Sequence, residues 1–419
     1  MHDAAAKPAP NRHVAVIGAG IIGVCAAVQL LRQGNRVTLI DSVEPGRGTS
    51  FGNAGGIAVG SIVPLSLPGT LRQVPGWLMD PLGPLAIRWR YLPKLAPWLW
   101  RFWRAGSQAQ VERAAAALAG LLAPTYDDYM PLLRDAGLVD LLRRDGCLTL
   151  YETRAAYEAE LYSWDLKRAH GVGLEIVGRD ELRQMEPDIA PNYELAVYQP
   201  DWGRVLDPYK IVAGLARWFA GNGGTIAQAR VTGAAIGEAG ATALTTDAGS
   251  IAMDAVVVAA GARSHEIARW LGSRVPLETE RGYHLTLPNP GPSPRRTISM
   301  GGWVMTPMEM GLRLAGTVEL AGLEAPPDWR RARILAERAK IVLPGLNSEG
   351  GTEWMGHRPS LPDSLPVISG SPHHANVFYA FGASHLGLTE GATTGRLIAD
   401  LVAGRTSSID LAPFRVDRF

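Results

Sequence analysis

An α/β fold of two lobes, one of them built from strand–helix–strand units on a parallel sheet, is what three features of this 419-residue sequence predict. The chain is roughly twice the usual upper size for one compact core, so two lobes are expected. Its opening segment runs apolar stretch, glycine turn, helix pattern and apolar stretch in the order of a strand–helix–strand unit. Two further junctions of apolar run, glycine and helix pattern occur late in the chain, at Gly261 and at Gly387.

The first unit can be read residue by residue. His13–Ile17 is a short apolar run of the kind that forms a buried parallel strand. It passes into Gly18-Ala19-Gly20-Ile21-Ile22-Gly23, then a helix pattern from Val24 closed by Gly34, then a second strand, Arg36–Ile40, ending on Asp41. Gly18 permits the tight turn, Gly20 lets a pyrophosphate approach the backbone, and Gly23 lets helix and strand pack closely. The helix start offers free N–H groups and a positive dipole end to phosphates. Asp41 stands where a ribose hydroxyl would donate to it, and its charge would repel a 2′-phosphate. A GxGxxG alone signifies little, since loops are rich in glycine; strand, glycines, helix, strand and acid in sequence make the dinucleotide reading the stronger one. The Rossmann-like arrangement follows.

A second glycine-rich stretch, Gly46 to Ile57, carries hydroxyls and an amide able to meet a diphosphate or a flavin edge. The competing reading is a flexible surface loop. No later GxGxxG stands in strand–helix context, so a separate nicotinamide site is not expected. One dinucleotide that is itself the redox centre fits a flavin better.

Composition excludes several classes. Apolar residues make up 47% and the net charge is +1, so nothing calls for nucleic acid. The two cysteines, Cys25 and Cys147, are too few for a disulfide framework or zinc cluster and suit a reducing compartment. Neither a signal peptide nor eighteen uninterrupted apolar residues is present, so a cytoplasmic protein is expected, with surface contact to the inner face of a membrane left open. Further on, Gly223–Ile226 and Ala229–Ala234 read as strands. Ile251–Ala260 reads as one buried strand returning to the first sheet before the turn at Gly261. Val377–Gly382 is another strand, with a helix from about Glu390 to Val402. The nucleotide lobe is thus expected from residues 11–59, 203–276 and 355–419, and the substrate lobe from 60–202 and 277–354.

Four ordered motifs carry a resemblance: Asn53-Ala54-Gly55-Gly56; Arg281-Gly282-Tyr283-His284-Leu285-Thr286; Gly356-His357-Arg358-Pro359-Ser360-Leu361-Pro362-Asp363 with Pro366-Val367-Ile368; and His385-Leu386-Gly387-Leu388-Thr389. With them the chain resembles, over nearly its whole length, the D-amino acid oxidase-like flavoproteins. These include glycine oxidase, sarcosine oxidase and bacterial D-amino acid dehydrogenase. It is most similar to the D-amino acid dehydrogenase small-subunit group, D-hydroxyproline dehydrogenases among them. The resemblance implies a glutathione-reductase-type FAD lobe and a second α+β lobe on a mixed or antiparallel sheet. Ile22, Gly23, Asp41 and Ser42 would hold the adenosine half of FAD, with Val231 offering backbone groups to adenine. Ser50, Asn53, Ala54, Gly55 and Gly56 would pass the pyrophosphate and flavin edge, and Gly261 is counted with the cofactor contacts. Leu386, Gly387, Leu388 and Thr389 would bring N–H groups and a helix dipole to the pyrimidine side of the ring. Arg358 matches the arginine that clamps the substrate carboxylate. There are two departures. Relatives often read Gly-His-Gly-His or Gly-His-Gly-Thr where this chain has Gly382-Ala383-Ser384-His385, and the attachment cysteine of the sarcosine oxidases has no counterpart, so FAD is expected to bind non-covalently.

The catalytic candidates are Arg358, Tyr283, His284 and His385. Arg358 could instead pair with Asp363 or a helix C-terminus. Tyr283 and His284 adjoin on a strand, so only one can face the flavin. At His385 the backbone could matter more than the ring. Arg313 reads as a lining or surface residue, and His373-His374 lacks further ligands for a metal. The stretch from Trp77 to Trp103 interleaves five tryptophans with Arg88, Arg90, Lys94, Arg101 and Arg104, broken by Pro81, Pro84, Pro93 and Pro97. It is expected to fill the interior, against the alternative of a membrane-facing surface, residues 77–104, that reaches a quinone pool. The implied reaction is hydride loss from Cα of a D-amino acid or cyclic imino acid, with electrons passed to a quinone or other acceptor. Rivals are an oxidase returning electrons to oxygen, a flavin subunit active only with a partner, and a nicotinamide enzyme.

Overall fold

The structure is a computed structural model that describes residues 11–69, 83, 85–238 and 240–419. Strand β1 (His13–Ile17) turns at Gly18–Gly20 into α1 (Ile21–Arg32) and returns as β2 (Arg36–Asp41). A first passage through a second lobe includes α2 (Leu92–Ala105). The chain comes back as β3 (Thr225–Gln228) and β4 (Ala255–Val258). A second passage supplies β5 (Glu278–Leu287), β6 (Gly311–Leu320), α3 (Arg330–Val342) and β7 (Thr352–Ser360). The last return is β8 (Val367–Gly370), β9 (Val377–Phe381) and α4 (Gly387–Val402).

The first lobe is a six-stranded sheet in the order β3-β2-β1-β4-β9-β8, parallel except for β8, which pairs antiparallel with β9. Its strands β1, β2, β4 and β9 are largely buried, which is why they read as near-continuous apolar runs, whereas the edge strand β3 is mostly exposed. The glycines do mechanical work here. A Cβ on Gly23 would lie 1.8 Å from the Gly18 carbonyl oxygen, and Gly18 itself has φ +105° with no room beside Ala259. Helix α4 lies against α1 through Gly391 and Gly395; a Cβ on Gly395 would stand 2.7 Å from the carbonyl carbon of Cys25. Both helices follow parallel strands of one sheet and lie on the same side of it, so both N-termini face its C-terminal edge, where open α/β sheets bind ligands.

The second lobe is a nine-stranded mixed sheet in which β7, β5 and β6 are antiparallel neighbours. Helix α3 covers one face through Leu285, Leu287, Leu312, Leu314, Leu335 and Ala339. Cysteines 25 and 147 are buried, and burial raises both thiol pKa values, that of Cys147 to about 12.

Several expectations need correction. Ile251–Ala260 is not one strand: Gly249–Ala252 closes a three-stranded antiparallel sheet, and Ala255–Val258 joins the parallel one as β4. Asp254 makes the transfer, its N–H donating to His13 O at 2.8 Å and its carboxylate accepting from His13 N at 2.7 Å. An apolar run carries no mark of which sheet it will join. Helix α4 starts at Gly387 rather than Glu390, so Gly387, Leu388 and Thr389 are its first turn. Pro93 and Pro97 do not fragment α2, since Pro93 sits in its first turn and the helix runs through Pro97. Trp98 is buried and stacks on Phe102, but Trp89, Trp100 and Trp103 are 70%, 54% and 54% exposed, so the tryptophans do not all fill the interior. Trp77, Pro81 and Pro84 lie outside the described residues. No described helix is long and apolar enough to cross a membrane.

Candidate active site

The site is built where the C-terminal edge of the parallel sheet meets β5 and β7. At the nucleotide end, the Asp41 carboxylate accepts from Ala19 N at 2.7 Å and Val43 N at 3.3 Å, which fixes the acid beside the glycine turn and leaves lone pairs for a diol. Ser42, next to it, is exposed, and Ile22 is half-buried at the α1 start. The Asp41 carbonyl accepts from Ala229 N at 2.8 Å, which brings Val231 alongside. Ser50 Oγ accepts from Ile21 N at 3.0 Å, so this hydroxyl stands at the N-terminus of α1. Gly261 takes φ +53° at the turn after β4, next to Ala259 and Gly18. A carboxylate at the strand end, a Cβ-free turn and a helix N-terminus together fit the adenosine and pyrophosphate of a dinucleotide.

The second glycine-rich stretch is a built element, not a flexible loop. Arg313 donates from Nη1 to Asn53 O at 2.7 Å and Phe51 O at 3.3 Å, and from Nε to Thr286 Oγ1 at 3.1 Å. Asn53 Oδ1 accepts from Gly55 N at 2.7 Å. Gly55 has φ +78°, and a Cβ there would meet Met308 at 2.6 Å. Gly56, after half-buried Ala54, pairs with Arg204 in a short antiparallel ladder. Thr389 Oγ1, in the first turn of α4, accepts from Ala58 N at 2.9 Å and donates to Gly56 O at 3.4 Å. The loop and the α4 N-terminus are therefore one unit. Leu386 caps that helix, and Leu388 O accepts from Tyr129 Oη. Arg313, expected to line the site or face solvent, is instead a buried holder of the loop.

Strand alternation sorts the β5 candidates. Tyr283 lies on the α3 side: its hydroxyl donates to Glu319 and accepts from Asp328 N at 3.0 Å, and Glu319 also holds Arg281 at 3.0 Å and Arg88 at 2.7 Å. Tyr283 belongs to this buried network and not to the group around Arg358, which corrects its place among the catalytic candidates. Glu280, Gly282 and His284 face the other way, with Trp354, Gly356 and Arg358 opposite them on β7. His284 bonds Gly52 O through Nδ1 at 3.0 Å and stacks on Trp354, ring centroids 5.1 Å apart. Burial, then the nearby Arg313 charge, lowers its pKa to about 3, so it is a neutral support for the loop.

Arg358 crosses over Gly282, where a Cβ would lie 2.4 Å from its guanidinium carbon. Its Nη1 donates to Thr317 O at 3.1 Å, a carbonyl presented by a residue at φ +56°. Asp363, the alternative partner, is taken by Arg418 at 2.8 Å. Burial lowers the Arg358 pKa and Glu280 opposes that effect. His385 is exposed between two buried neighbours, and the Arg358 charge acts on it. Its surroundings, then Arg358, lower its pKa to about 4. Glu280 and Trp354 were missed by sequence reasoning. The Glu280-x-Gly282-x-His284 alternation was the signal that could have found the first. Glu390, in the first turn of α4, is fully buried, and burial pushes its pKa up to about 8.

The family described as FAD dependent oxidoreductase matches residues 13–401. A D-amino-acid oxidase of Bradyrhizobium diazoefficiens is 44% identical over 418 residues, which is 98% of this chain and 99% of the relative. A D-amino acid dehydrogenase of Paramagnetospirillum magneticum is 31% identical over 417 residues, 97% of this chain and 98% of the relative. Among solved structures, a glycine oxidase from Geobacillus kaustophilus superposes with a TM-score of 0.74 at 23% identity, covering 97% of this chain and 99% of its own. An L-proline dehydrogenase from P. horikoshii gives 0.75 at 17% identity, covering 98% of each.

Proposed function

Because the chain belongs to the FAD-dependent oxidoreductase family, we propose that it oxidises the Cα–N bond of a D-amino acid, or of a cyclic imino acid such as D-proline or D-hydroxyproline. FAD, when bound, supplies the hydride acceptor at its N5 position. Its holders are Gly18, Gly20, Ile22, Gly23, Asp41, Ser42, Ser50 and Val231 at the nucleotide end. Asn53 to Gly56 and Leu386 to Thr389 serve the ring, and Gly261, with open space beside its Cα, is counted with the cofactor contacts. The nucleotide lobe is read as residues 11–59, 203–276 and 355–419 apart from residues 355–360, which are part of β7 and pair in the second lobe's sheet.

The observation that carries this reading is Arg358. Its guanidinium has one backbone partner, stands on the cleft side of β7 and lies within reach of the loop that starts α4. A planar fork so placed suits a carboxylate held by two parallel hydrogen bonds. With the carboxylate fixed, Cα is presented at a constant distance, and positioning supplies much of the acceleration. The product imine hydrolyses to a 2-oxo acid, or leaves as a cyclic imine. The test is anaerobic mixing of the holoenzyme with D-alanine, D-proline, D-hydroxyproline, glycine and sarcosine. At least one D-amino or imino acid should bleach the flavin's visible absorbance within a turnover. If dithionite bleaches it and no amino acid does, the reading is wrong.

Two acceptors each have one observation in support. The name of the 44% identical relative favours oxygen. The exposed Trp89, Trp100 and Trp103, interleaved with Arg90, Arg101 and Arg104, favour a quinone met at a membrane surface. Reoxidation of the reduced enzyme by oxygen or by a soluble quinone separates them. On the membrane reading, the protein sediments with anionic phosphatidylglycerol vesicles at low salt, and the Trp100→Ser/Trp103→Ser double variant stays in the supernatant. Equal sedimentation of both proteins would remove the surface from consideration.

A further inference from the structure

We propose that His385, Ser384, Ser360 and Glu280 form a proton relay, which takes the ammonium proton of an amino-acid substrate as its carboxylate docks on Arg358. The proposal rests on the clamp reading above and adds how the amine is made reactive. Near neutral pH an amino acid arrives with its nitrogen protonated, and without a lone pair that nitrogen cannot help expel a hydride. Something must accept one proton.

The residues form a continuous line. Glu280 and Ser360 are diagonal neighbours on one face of the β5–β7 pair, Ser360 Oγ lies 3.1 Å from Ser384 Oγ, and Ser384 Oγ lies 3.4 Å from His385 Nδ1. Glu280, Ser360 and Ser384 are buried, whereas His385 is exposed. Ser384 adopts φ +47°, a conformation that side-chain-bearing residues seldom take. It is held there by its N–H to Pro359 O at 2.9 Å and by the bridge between Ala383 and Ser360. That turn sets its hydroxyl between the other two groups.

Arg358 stands near both ends of the line. It pairs in register with Glu280 across β5 and β7, and its charge also acts on His385. Burial favours the neutral acid at Glu280, Arg358 and Ser360 favour the carboxylate, and Glu278 along the strand opposes it. Glu278 is bonded to Tyr91 Oη at 2.9 Å. When a substrate carboxylate neutralises Arg358, the positive charge that favours the Glu280 carboxylate is offset and burial prevails. Docking and proton uptake are thereby coupled.

The bookkeeping closes without any redox partner. In the structure Ser360 donates to Ser384, which is the arrangement of the loaded relay. In the unloaded relay, with Glu280 ionised, both hydroxyls rotate: Ser360 donates to Glu280, Ser384 to Ser360, and His385 Nδ1–H to Ser384, which leaves the lone pair on His385 Nε2. One substrate N–H bond breaks as Nε2–H forms. The Nδ1 proton moves to Ser384, the Ser384 proton to Ser360, and the Ser360 proton to Glu280. The end state is a neutral amine, a neutral Glu280 and a neutral imidazole in its other tautomer. His385 never has to store a positive charge beside Arg358.

Calorimetry on the holoenzyme with propionate, a carboxylate lacking an amine, reads the coupling directly. Titrated at pH 7 in two buffers of different ionisation enthalpy, wild type should take up about one proton per propionate bound. Glu280→Gln should bind propionate with no uptake. For an oxidised D-amino acid, Glu280→Gln and Ser384→Gly should each lower kcat/KM about 100-fold at pH 7 and recover as the pH approaches the amine's own pKa. Glycine suits the φ at 384, so Ser384→Gly removes the hydroxyl without adding strain. Glu280→Asp should restore part of the loss. Propionate binding to wild type without proton uptake, or pH profiles of both variants that overlay wild type, would overturn the relay while leaving the clamp intact. Failure of propionate to bind at all would overturn both.

Discussion

Replacing Arg358 with alanine lowers kcat/KM for a D-amino acid by about 100- to 10,000-fold, mostly through KM. The size follows from two charge-assisted hydrogen bonds of about 1.5–3 kcal/mol each, at 1.4 kcal/mol per tenfold. The loss falls on KM because the carboxylate is held alike in ground and transition states. Part falls on kcat as well, since Glu280 loses the opposing charge across the strand pair and a free carboxylate no longer fixes Cα. Arg358→Lys keeps the charge but loses the fork, and recovers about tenfold. Steady-state kinetics against amino acids and against a simple amine without a carboxylate checks this. For the amine, KM should not register the substitution, while the share that runs through Glu280 remains in kcat. An unchanged KM for every acid would show that the guanidinium serves the fold alone.

Gly23→Ala abolishes stoichiometric flavin in the purified protein. The added methyl would sit 1.8 Å from the Gly18 carbonyl oxygen, and neither side of that contact is a flexible side chain. Gly18 cannot yield, being pinned at φ +105° with its N–H on Ile40 O at 2.8 Å and Ala259 pressed against it. Helix α1 must therefore shift, and the N–H groups at its start leave the line of the pyrophosphate. FAD affinity should drop at least about 100-fold, roughly 2.7 kcal/mol. The flavin-to-protein ratio after gel filtration measures it. Gly34→Ala is the control: Gly34 also has positive φ, but nothing lies within 4 Å of its added Cβ. That change costs about 1 kcal/mol of stability and leaves the protein yellow. Equal flavin in Gly23→Ala and wild type would refute the close-packing argument.

What could be read in advance depended on how far apart the cooperating residues lie along the chain. The glycine turn, α1 and Asp41 are contiguous, so local pattern was enough. The two-residue period of a strand correctly separated Tyr283 from His284, although which of them faced the cleft needed the position of α3. Alternation with His284 could put Glu280 on the right face of its strand, but its role could not be read, because its neighbours Arg358 and Ser360 come about eighty positions later and meet it only through β5–β7 pairing. The same holds for Arg313, whose purpose is defined by Phe51 and Asn53. Composition misled at the tryptophans: an aromatic side chain is usually interior, and only the packing of α2 through Leu95 and Trp98 shows that Trp100 and Trp103 are left outside.

The nucleotide turn leaves the ribosome well before α4, which locks onto the helix that follows that turn through Gly391 and Gly395. Until residue 395 is available, the two positive helix ends cannot be brought together. Capture of the coenzyme is therefore a late event in biosynthesis, and polypeptides terminated early should remain colourless however well their first strands are made.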